Sequence, residues 1–316
     1  MRDGRSSPGA SSGPSAAVVV RVDAARRSEA LGVLLTGRRG LSAGVAAELA
    51  EAAGLAANCW EQFWVAESGG KIEAAAMLSP GAGRTAMVFI SPLREPQQIA
   101  VPARLVAAAC GELDPNQVRL VQALLEPGEQ MQIAAFEQAG FQRLALLIYM
   151  QRRGEPKRIE LELDPTIEVV TYSTKSHEVF ARAITASYEQ TLDCPQLVRL
   201  RTIDDVIAGH MAVGRFEPSL WMALHCGGEP VGVMLLNSVG VSASMELVYL
   251  GLAPRWRGRG LGRRLLSHGL SLAREHEATT MFLAVDSENE PAMKLYQSMR
   301  FVPTTKRVAM IRTVGA

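Results

Sequence analysis

The residues with the clearest chemical capability lie in a glycine-rich loop near position 260. Gly258, Gly260 and Gly262 alternate there, after an apolar strand that ends at Pro254 and before a predicted helix. Because glycine has no Cβ, such a loop can turn several backbone N–H groups towards one point, and a helix start adds unpaired N–H groups. Arginines surround the loop: Arg255, Arg257, Arg259, Arg263 and Arg264. The pattern predicts a binding site for an anion such as a diphosphate.

Two other phosphate-binding motifs fit this loop less well. A Walker A loop requires glycine followed by Lys and then Ser or Thr, and the pattern is absent from the sequence. A dinucleotide-binding fingerprint requires a third glycine where Arg263 stands, although Asp286 follows about 20 residues later, where a ribose-binding acid would be expected. The match to dinucleotide binding is therefore only partial.

The elements that position the loop follow from the hydrophobic pattern of the C-terminal half. Apolar or alternating runs predict strands at residues 167–172, 221–225, 231–238, 244–252, 280–285 and 302–312. Helices are predicted at residues 176–189, 196–213 and 263–277, and after Asn289. Early hairpins and a late β-α-β unit together predict a mixed α/β fold.

The two halves of the chain resemble each other in sequence. Trp-Val-Ala at 64–66 recurs as Trp-Met-Ala at 221–223, and both are followed by Gly-Gly and then Met-Leu. The segment FEQAGF at 136–141 recurs as YQSMRF at 296–301, about 160 residues later. Several matches in one order at a nearly constant offset indicate a duplicated fold.

Length and composition agree with two domains. The chain has 316 residues, of which 48% are apolar, enough to fill two cores. Residues 1–17 are rich in Gly, Ser and Pro, which predicts a disordered tail and not a signal peptide. A polar segment with glycine and proline lies near the centre. We therefore predict one domain over residues 18–153, a linker or connecting strand over 154–165, and a second domain over 166–316.

Charge and cysteine usage exclude several classes of partner. The 33 basic and 32 acidic residues leave a net charge of +1, which argues against nucleic acid or an anionic membrane as a partner. The chain contains no apolar run long enough to span a bilayer. The four cysteines are far apart: Cys59, Cys110, Cys194 and Cys226. We therefore expect a cytoplasmic protein with no metal site and no disulfide framework.

Two linked motifs carry a resemblance to a known family. Arg-Gly-x-Gly-x-Gly at 257–262 and Asn-x-x-Ala-x-x-Leu-Tyr at 289–296 resemble, in type and order, the signature of the GCN5-related N-acetyltransferase (GNAT) superfamily. The similarity is good over roughly residues 220–312. It implies an α/β protein of two tandem GNAT-like domains, each a twisted mixed β-sheet flanked by helices. It also implies a sheet splayed open between the strands that end at Pro254 and near Asp286, with acetyl-CoA bound there as a cosubstrate.

The resemblance assigns residues to acetyl-CoA. The pantetheine amides would pair with the backbone of Leu250 and Leu252, as an added strand does. Asn289 would contact the pantetheine arm or a nearby water. The diphosphate would contact the backbone of six residues: Arg257, Gly258, Arg259, Gly260, Gly262 and Arg263.

The resemblance also implies transfer of an acetyl group to a primary amine by direct attack. An alkylammonium with a pKa of ~10.4 must lose its proton first, which costs ~4–5 kcal/mol at pH 7. Glu246, in the apolar strand just before the loop, is the candidate base, with an outward-facing strand charge as the alternative. Tyr296 would hydrogen-bond the departing thiolate. Glu189 and Asp193 are candidates to attract the amine, with a solvated turn as the alternative.

The N-terminal half lacks these features. Phe136 stands where Tyr296 stands, the loop after Pro92 has no glycine, and Arg84 falls near the place of Glu246. We therefore predict a degenerate GNAT-like first domain that serves as a scaffold or as one wall of the acceptor cleft, and a single acetyl-CoA site per chain.

Three functions stay open from the sequence. The first is N-acetylation of a small-molecule amine or a peptide amine by a monomer or homodimer. The second is acetylation of a cysteinyl pseudodisaccharide, because mycothiol synthases have a similar tandem layout with an active C-terminal domain. The third is a non-catalytic acyl-CoA sensor or interaction protein. Glu246 and Tyr296 argue against the third function, since a sensor needs only the loop.

Overall fold

The structure is a computed structural model. It describes residues 17–36, 63–154, 161–240 and 243–315. The predicted tail lies outside the described residues except for its last position, as do residues 155–160 of the predicted linker, and residues 161–163 are not in a strand. Contacts divide the chain into two compact units, residues 1–78 with 89–112 and residues 79–88 with 113–316.

The first unit packs two helices on antiparallel strands. Its elements are β1 (Val18–Arg21), α1 (Arg27–Thr36), β2 (Phe63–Ser68), β3 (Lys71–Gly81) and α2 (Ala100–Gly111). β2 pairs with β1 on one side and with β3 on the other. Leu31 and Leu34 of α1 bury against Phe63, Val65 and Ile72, which fills the core of this unit.

The second unit is a mixed sheet with helices. Its strands are β4 (Thr85–Ile90), β5 (Leu120–Leu125), β6 (Gln142–Arg153), β7 (Ile167–Thr171), β8 (Trp221–Cys226), β9 (Glu229–Ser238), β10 (Ser244–Leu252), β11 (Thr280–Asp286) and β12 (Val302–Thr313). Its helices are α3 (Gln130–Gln138), α4 (His177–Ser187), α5 (Ile203–Met211), α6 (Leu261–Glu275) and α7 (Glu290–Ser298). The strand order is β4-β5-β12-β6-β11-β10-β9-β8-β7. The mixed α/β fold is thereby confirmed.

The two halves of the sequence exchange their last strands within this sheet. β6, from the first half, lies between β11 and β12, and residues 147–153 pair with Thr280–Asp286. β12, from the second half, pairs with β5. The parallel pairs β4–β5 and β10–β11 repeat the same arrangement in both halves. The sequence predicts a sheet in each half, and the exchange joins the central strands of both halves into one sheet.

Alternation along the strands separates the two faces of the C-terminal half. Met222 and Leu224 of β8 pack in the core formed with α6 and α7. Trp221 and Ala223, the alternate positions, pack in a second core with α4 and α5. Successive side chains of a strand point to opposite faces, so the sheet is covered by helices on both faces.

One predicted helix starts later in the structure than in the sequence prediction. The predicted helix 196–213 begins only at Ile203, because Pro195 opens a separate short turn and Thr202 caps the helix by accepting from the Asp205 N–H.

Arg300 has a left-handed φ of 66°, at the position where the first half has Gly140 with φ of 85°. A side chain is strained in this conformation, as the sequence comparison predicts.

Candidate active site

A cavity of about 180 Å³ lies where β10 and β11 separate. The two strands are paired in parallel only at Ser244–Glu246 and Thr280–Phe282. A bulge beyond Leu247 changes the register of β10 against β9, and a bulge increases the local twist of a strand. Five predicted site residues line the cavity: Leu250, Leu252, Arg257, Asn289 and Tyr296. The opening lies where the family resemblance implies it.

Backbone groups of β10 face the opening. The Ala253 N–H donates to Val231 O at 3.0 Å, so Ala253 is a hydrogen-bonded position of the β9–β10 ladder. In an antiparallel ladder these positions alternate with positions whose N–H and C=O point the other way. Leu250 and Leu252 pair with Met234 and Gly232 at such alternate positions. Their peptide groups therefore turn away from β9, towards the gap, as pairing with an amide-bearing ligand requires.

The glycine-rich loop has the backbone needed to bind an anion. Gly258 and Gly260 adopt φ of 74° and 77°, and Gly260 directly precedes α6. The N–H groups of residues 258–262 form no hydrogen bond to another described residue. By contrast, the N–H groups of Arg257 and Arg263 donate to Pro254 O and Gly260 O, each at 3.1 Å. The available donors therefore centre on residues 258–262, and they include Leu261, which the sequence analysis did not select.

The arginine side chains near the loop make contacts within the protein. The Arg257 guanidinium donates to Leu252 O at 2.9 Å. It also donates to three carbonyls at and just after the end of α4: Ser187 (2.9 Å), Glu189 (2.7 Å) and Gln190 (3.0 Å). Arg263 donates to Ser298 Oγ at the end of α7, at 2.6 Å. The Arg257 side chain thus fixes the segment after α4 against the end of β10, and the backbone N–H groups are left for the anion.

Tyr296 lines the cavity and lies within electrostatic range of an acidic side chain. Its side chain is 7% exposed, and its ring packs 5.9 Å from that of Phe301. Burial, together with the negative charge of Asp193, raises the pKa of the Tyr296 hydroxyl above its ordinary value. The hydroxyl therefore keeps its proton at neutral pH and is suited to donate a hydrogen bond.

Asp193 joins residues 188–195, which follow α4 and are called the acceptor segment here, to β11. Its Oδ1 accepts from the Asp286 N–H at 3.4 Å, and it lines the same cavity as Tyr296. The residue is solvent-exposed, yet desolvation of its carboxylate and the nearby charge of Asp286 raise its pKa. Of the two acids predicted to attract the acceptor amine, Asp193 lines this cavity. Glu189 lines a neighbouring one.

Glu246 lies on the sheet face that is covered by α4 and α5. It pairs across the strands with Asn237, whose side chain accepts from Trp221 on that face. Glu246 is partly buried, and desolvation raises its pKa. Its charge in turn contributes to a raised pKa of Tyr149 on β6. Glu246 does not line the 180 Å³ cavity, so a proton from that cavity would reach it only through an intervening group such as water.

Asn289, which precedes α7, and Asp286, at the end of β11, make hydrogen bonds within the protein. The Asn289 side chain caps α7 by accepting from the Ala292 N–H at 3.3 Å, and it also lines the cavity. Asp286 is 3% exposed. Its carboxylate accepts from the N–H groups of Cys194 (3.2 Å) and Glu288 (3.0 Å). Its position and partners leave no role for it as the ribose-binding acid of a dinucleotide site.

In the corresponding loop of the first half, a side chain occupies backbone N–H groups. The Gln98 Oε1 accepts from the N–H groups of Arg94 at 3.0 Å and Glu95 at 3.1 Å. A side-chain oxygen therefore takes donors that an anion would need. Phe136, the counterpart of Tyr296, is 1% exposed and packs on Phe141. These contacts are consistent with the predicted loss of acetyl-CoA binding in this half.

Known proteins resemble this chain in sequence and in fold. The profile of the Acetyltransferase (GNAT) family matches residues 185–301. Mycothiol acetyltransferase from Geodermatophilus obscurus is 27% identical over 265 residues, covering 80% of this chain and 78% of that protein. A GCN5-related N-acetyltransferase from Sphaerobacter thermophilus has the same fold, with a TM-score of 0.57, 17% identity, and coverage of 94% and 96% of the two chains. The C-terminal half of the chain, which contains the matched residues 185–301, therefore belongs to the GNAT superfamily.

The tandem layout of the chain follows from the long alignment and from the repeated strand pairs. A shorter alignment has a higher identity. Mycothiol acetyltransferase from Thermobifida fusca is 35% identical over 94 residues, which is 28% of this chain and 25% of that protein. The aligned region therefore spans about a quarter of that relative's length.

Sequence reasoning missed several residues of the GNAT site. Ser187 lines the cavity, and its Oγ lies 2.8 Å from the hydroxyl of Tyr249. A Cβ on Gly251 would lie 2.5 Å from this Ser187 Oγ, so the glycine permits the close approach of α4 to β10. The alternation of Tyr249 and Gly251 in a predicted strand could have indicated a tight contact, but the partner on α4 could not be read from the sequence.

Two features are absent from the described residues. None of their helices has the length and apolarity to cross a bilayer. They also contain no group of three or more His, Cys, Asp and Glu side chains arranged to hold a metal ion. Among the described residues, Cys110, Cys194 and Cys226 are not joined in disulfide bonds, and Cys59 lies outside the described residues.

Proposed function

We propose that the protein is an acetyl-CoA-dependent N-acetyltransferase with one active site, located in its C-terminal half. The observation that carries the proposal is the set of unbonded N–H groups at residues 258–262, at the start of α6. A diphosphate needs several such donors, and the peptide groups of Leu250 and Leu252 in the same opening fit an amide-bearing arm.

The side chains around the cavity fit acetyl transfer to an amine. When bound, acetyl-CoA supplies the acetyl group as a thioester. The amine nitrogen forms a bond to the carbonyl carbon, the carbon–sulfur bond breaks, and sulfur leaves as a thiolate. Tyr296, which stays protonated, donates a hydrogen bond to that sulfur. Glu246 accepts the amine proton through water, and its raised pKa makes it a stronger base than an exposed glutamate.

The proposal is tested by binding and turnover together. Isothermal titration with acetyl-CoA should give one site per chain, and a panel of primary amines should release free thiol from acetyl-CoA. Gly260→Ala should weaken binding, because a Cβ enters a loop whose N–H groups bind the diphosphate. Gly228→Ala is the matched control, since its φ is 80° and it lies in the turn between β8 and β9.

The outcomes separate the candidate classes. Two equal acetyl-CoA sites, or no binding, would refute the proposed site. Binding without thiol release for any amine would instead support a non-catalytic acyl-CoA sensor. Equal loss of affinity in both glycine variants would mean that backbone strain, and not the loop, controls binding.

A second candidate acceptor is the cysteinyl pseudodisaccharide of mycothiol synthesis. It is favoured by the Geodermatophilus obscurus relative, whose alignment covers 80% of this chain. Including this acceptor in the amine panel tests it directly. If it is the physiological acceptor, its kcat/KM should exceed that of every simple amine tested.

A further inference from the structure

A second cavity, of about 480 Å³, adjoins the candidate active site. Its wall comes from the end of α4, the segment before α5, and α5 itself. Gln190 lines both this cavity and the one that contains Tyr296. The two cavities are therefore adjacent at Gln190.

The second cavity contains a cation without a paired acid. Arg201 lines it and is partly buried, and desolvation lowers the pKa of its guanidinium. Among the described residues, no hydrogen bond or ion pair holds this guanidinium. Asp205 is within electrostatic range, but Arg84 binds it at distances of 2.6 and 3.0 Å. An unpaired, partly desolvated cation gains free energy when it binds an anion.

Neutral hydrogen-bond donors accompany Arg201. Tyr188 lines the same cavity, and burial raises the pKa of its hydroxyl to about 12, so the hydroxyl keeps its proton at neutral pH. Gln190 and Arg199, also in the wall, have left-handed φ values of 51° and 75°. Strained backbone of this kind is concentrated at ligand-binding sites, because the surrounding structure must hold it in place.

Charged side chains of opposite sign line the two cavities. Asp193 lines the first cavity with Tyr296, where the amine must react. Arg201 and Arg199 line the second cavity, together with Glu189. A molecule with an ammonium in the first cavity and an anion in the second matches these charges.

We propose that the acceptor amine carries a carboxylate, which Arg201 binds in the second cavity while the amine reaches Tyr296 in the first. Arginine presents paired N–H donors that fit the two oxygens of a carboxylate. The inference rests on the proposed acetyltransferase function and narrows its substrate to amino acids or related amino carboxylates. A neutral aminosugar would leave Arg201 without an anionic partner.

Matched acceptors test the inference. The purified full chain is assayed for thiol release from acetyl-CoA with β-alanine against propylamine and with 4-aminobutyrate against butylamine. α-Amino acids are paired with their amides, and glucosamine and O-phosphoethanolamine serve as neutral and phosphate comparisons. Carboxylated acceptors should have a kcat/KM about tenfold or more above their uncharged partners, the gain expected for a charge-assisted hydrogen bond. A preference for the uncharged, neutral-sugar or phosphate acceptor would overturn the inference.

Variants separate this inference from the proposed function. Arg201→Gln should raise KM for carboxylated acceptors at least about tenfold, and leave kcat/KM for propylamine and acetyl-CoA binding unchanged. Lys175→Gln, which also removes one positive charge but at an exposed position, is the control and should change neither. Thiol release with no carboxylate preference refutes only the inference. Absence of acetyl-CoA binding in the wild-type protein refutes the proposed function itself.

Discussion

Replacing Tyr296 by phenylalanine removes one hydroxyl from the candidate site and leaves its packing in place. The ring is buried and lies 5.9 Å from Phe301. The first half has a phenylalanine at the equivalent position of its helix, where the Phe136 ring lies 5.0 Å from the Phe141 ring. We therefore expect the thermal stability of Tyr296→Phe to match that of the wild type closely.

The expected loss of activity follows from the bond that the hydroxyl makes. Burial and Asp193 raise its pKa, so it serves as a neutral donor to a developing thiolate and not as a proton source. A hydrogen bond to a charged group contributes ~1.5–3 kcal/mol. Because 1.36 kcal/mol corresponds to a factor of ten, kcat should fall about 10- to 100-fold. The affinity for acetyl-CoA, which depends on the loop at 258–262, should change little.

The assay measures kcat at a saturating amine concentration and the Kd of acetyl-CoA by titration. Tyr172→Phe is the matched control, because its hydroxyl binds His177 Nδ1 at 2.8 Å, outside both cavities. Its kcat should stay close to the wild-type value. An unchanged kcat in Tyr296→Phe would remove this residue from the mechanism. A loss of acetyl-CoA affinity as large as the loss of kcat would contradict the assignment of acetyl-CoA binding to the loop at 258–262.

Three further predictions concern strain, charge and the base. Arg300→Gly should stabilise the protein by up to ~1 kcal/mol, because glycine relieves the left-handed φ that Gly140 adopts in the first half; an unchanged or lowered melting temperature would contradict this. The Arg84 guanidinium beside Asp205 lowers the pKa of that carboxyl from 3.8 to about 2. The ion pair therefore stabilises the fold fully at pH values above 3.8, and this stabilisation is lost as the pH falls from 3.8 to about 2. The stabilities of the wild type and Asp205→Asn should therefore differ near neutral pH and converge near pH 2 in acid unfolding curves. Burial raises the pKa of Glu246, so wild-type kcat should fall as pH drops through that raised value, and Glu246→Gln should have a low kcat without this acid limb; an identical pH profile would exclude Glu246 as the base.

The sequence predicts the loop and the fold because their signals are local. Alternating glycines, a strand end and a helix start lie within a few residues of each other, so the anion site around Gly260 can be read directly. The role of the Arg257 side chain could not be read, because its partners on the segment after α4 are far away in the chain. Arg201 was missed for the same reason. Its lack of an acid partner depends on Arg84, which belongs to the other half of the sequence.

The strand exchange gives the first half a structural role that its degenerate loop does not suggest. β11 forms one side of the opening proposed to bind acetyl-CoA, and its other edge is paired along its full length with β6. Without β6, the backbone groups of Thr280–Asp286 on that edge would lose their partners, and an unpaired edge strand is prone to fray or aggregate. Asp286, which binds the acceptor segment through Cys194, lies at the end of this strand. Selection for the position of this strand can therefore retain the first half even where it binds no ligand of its own.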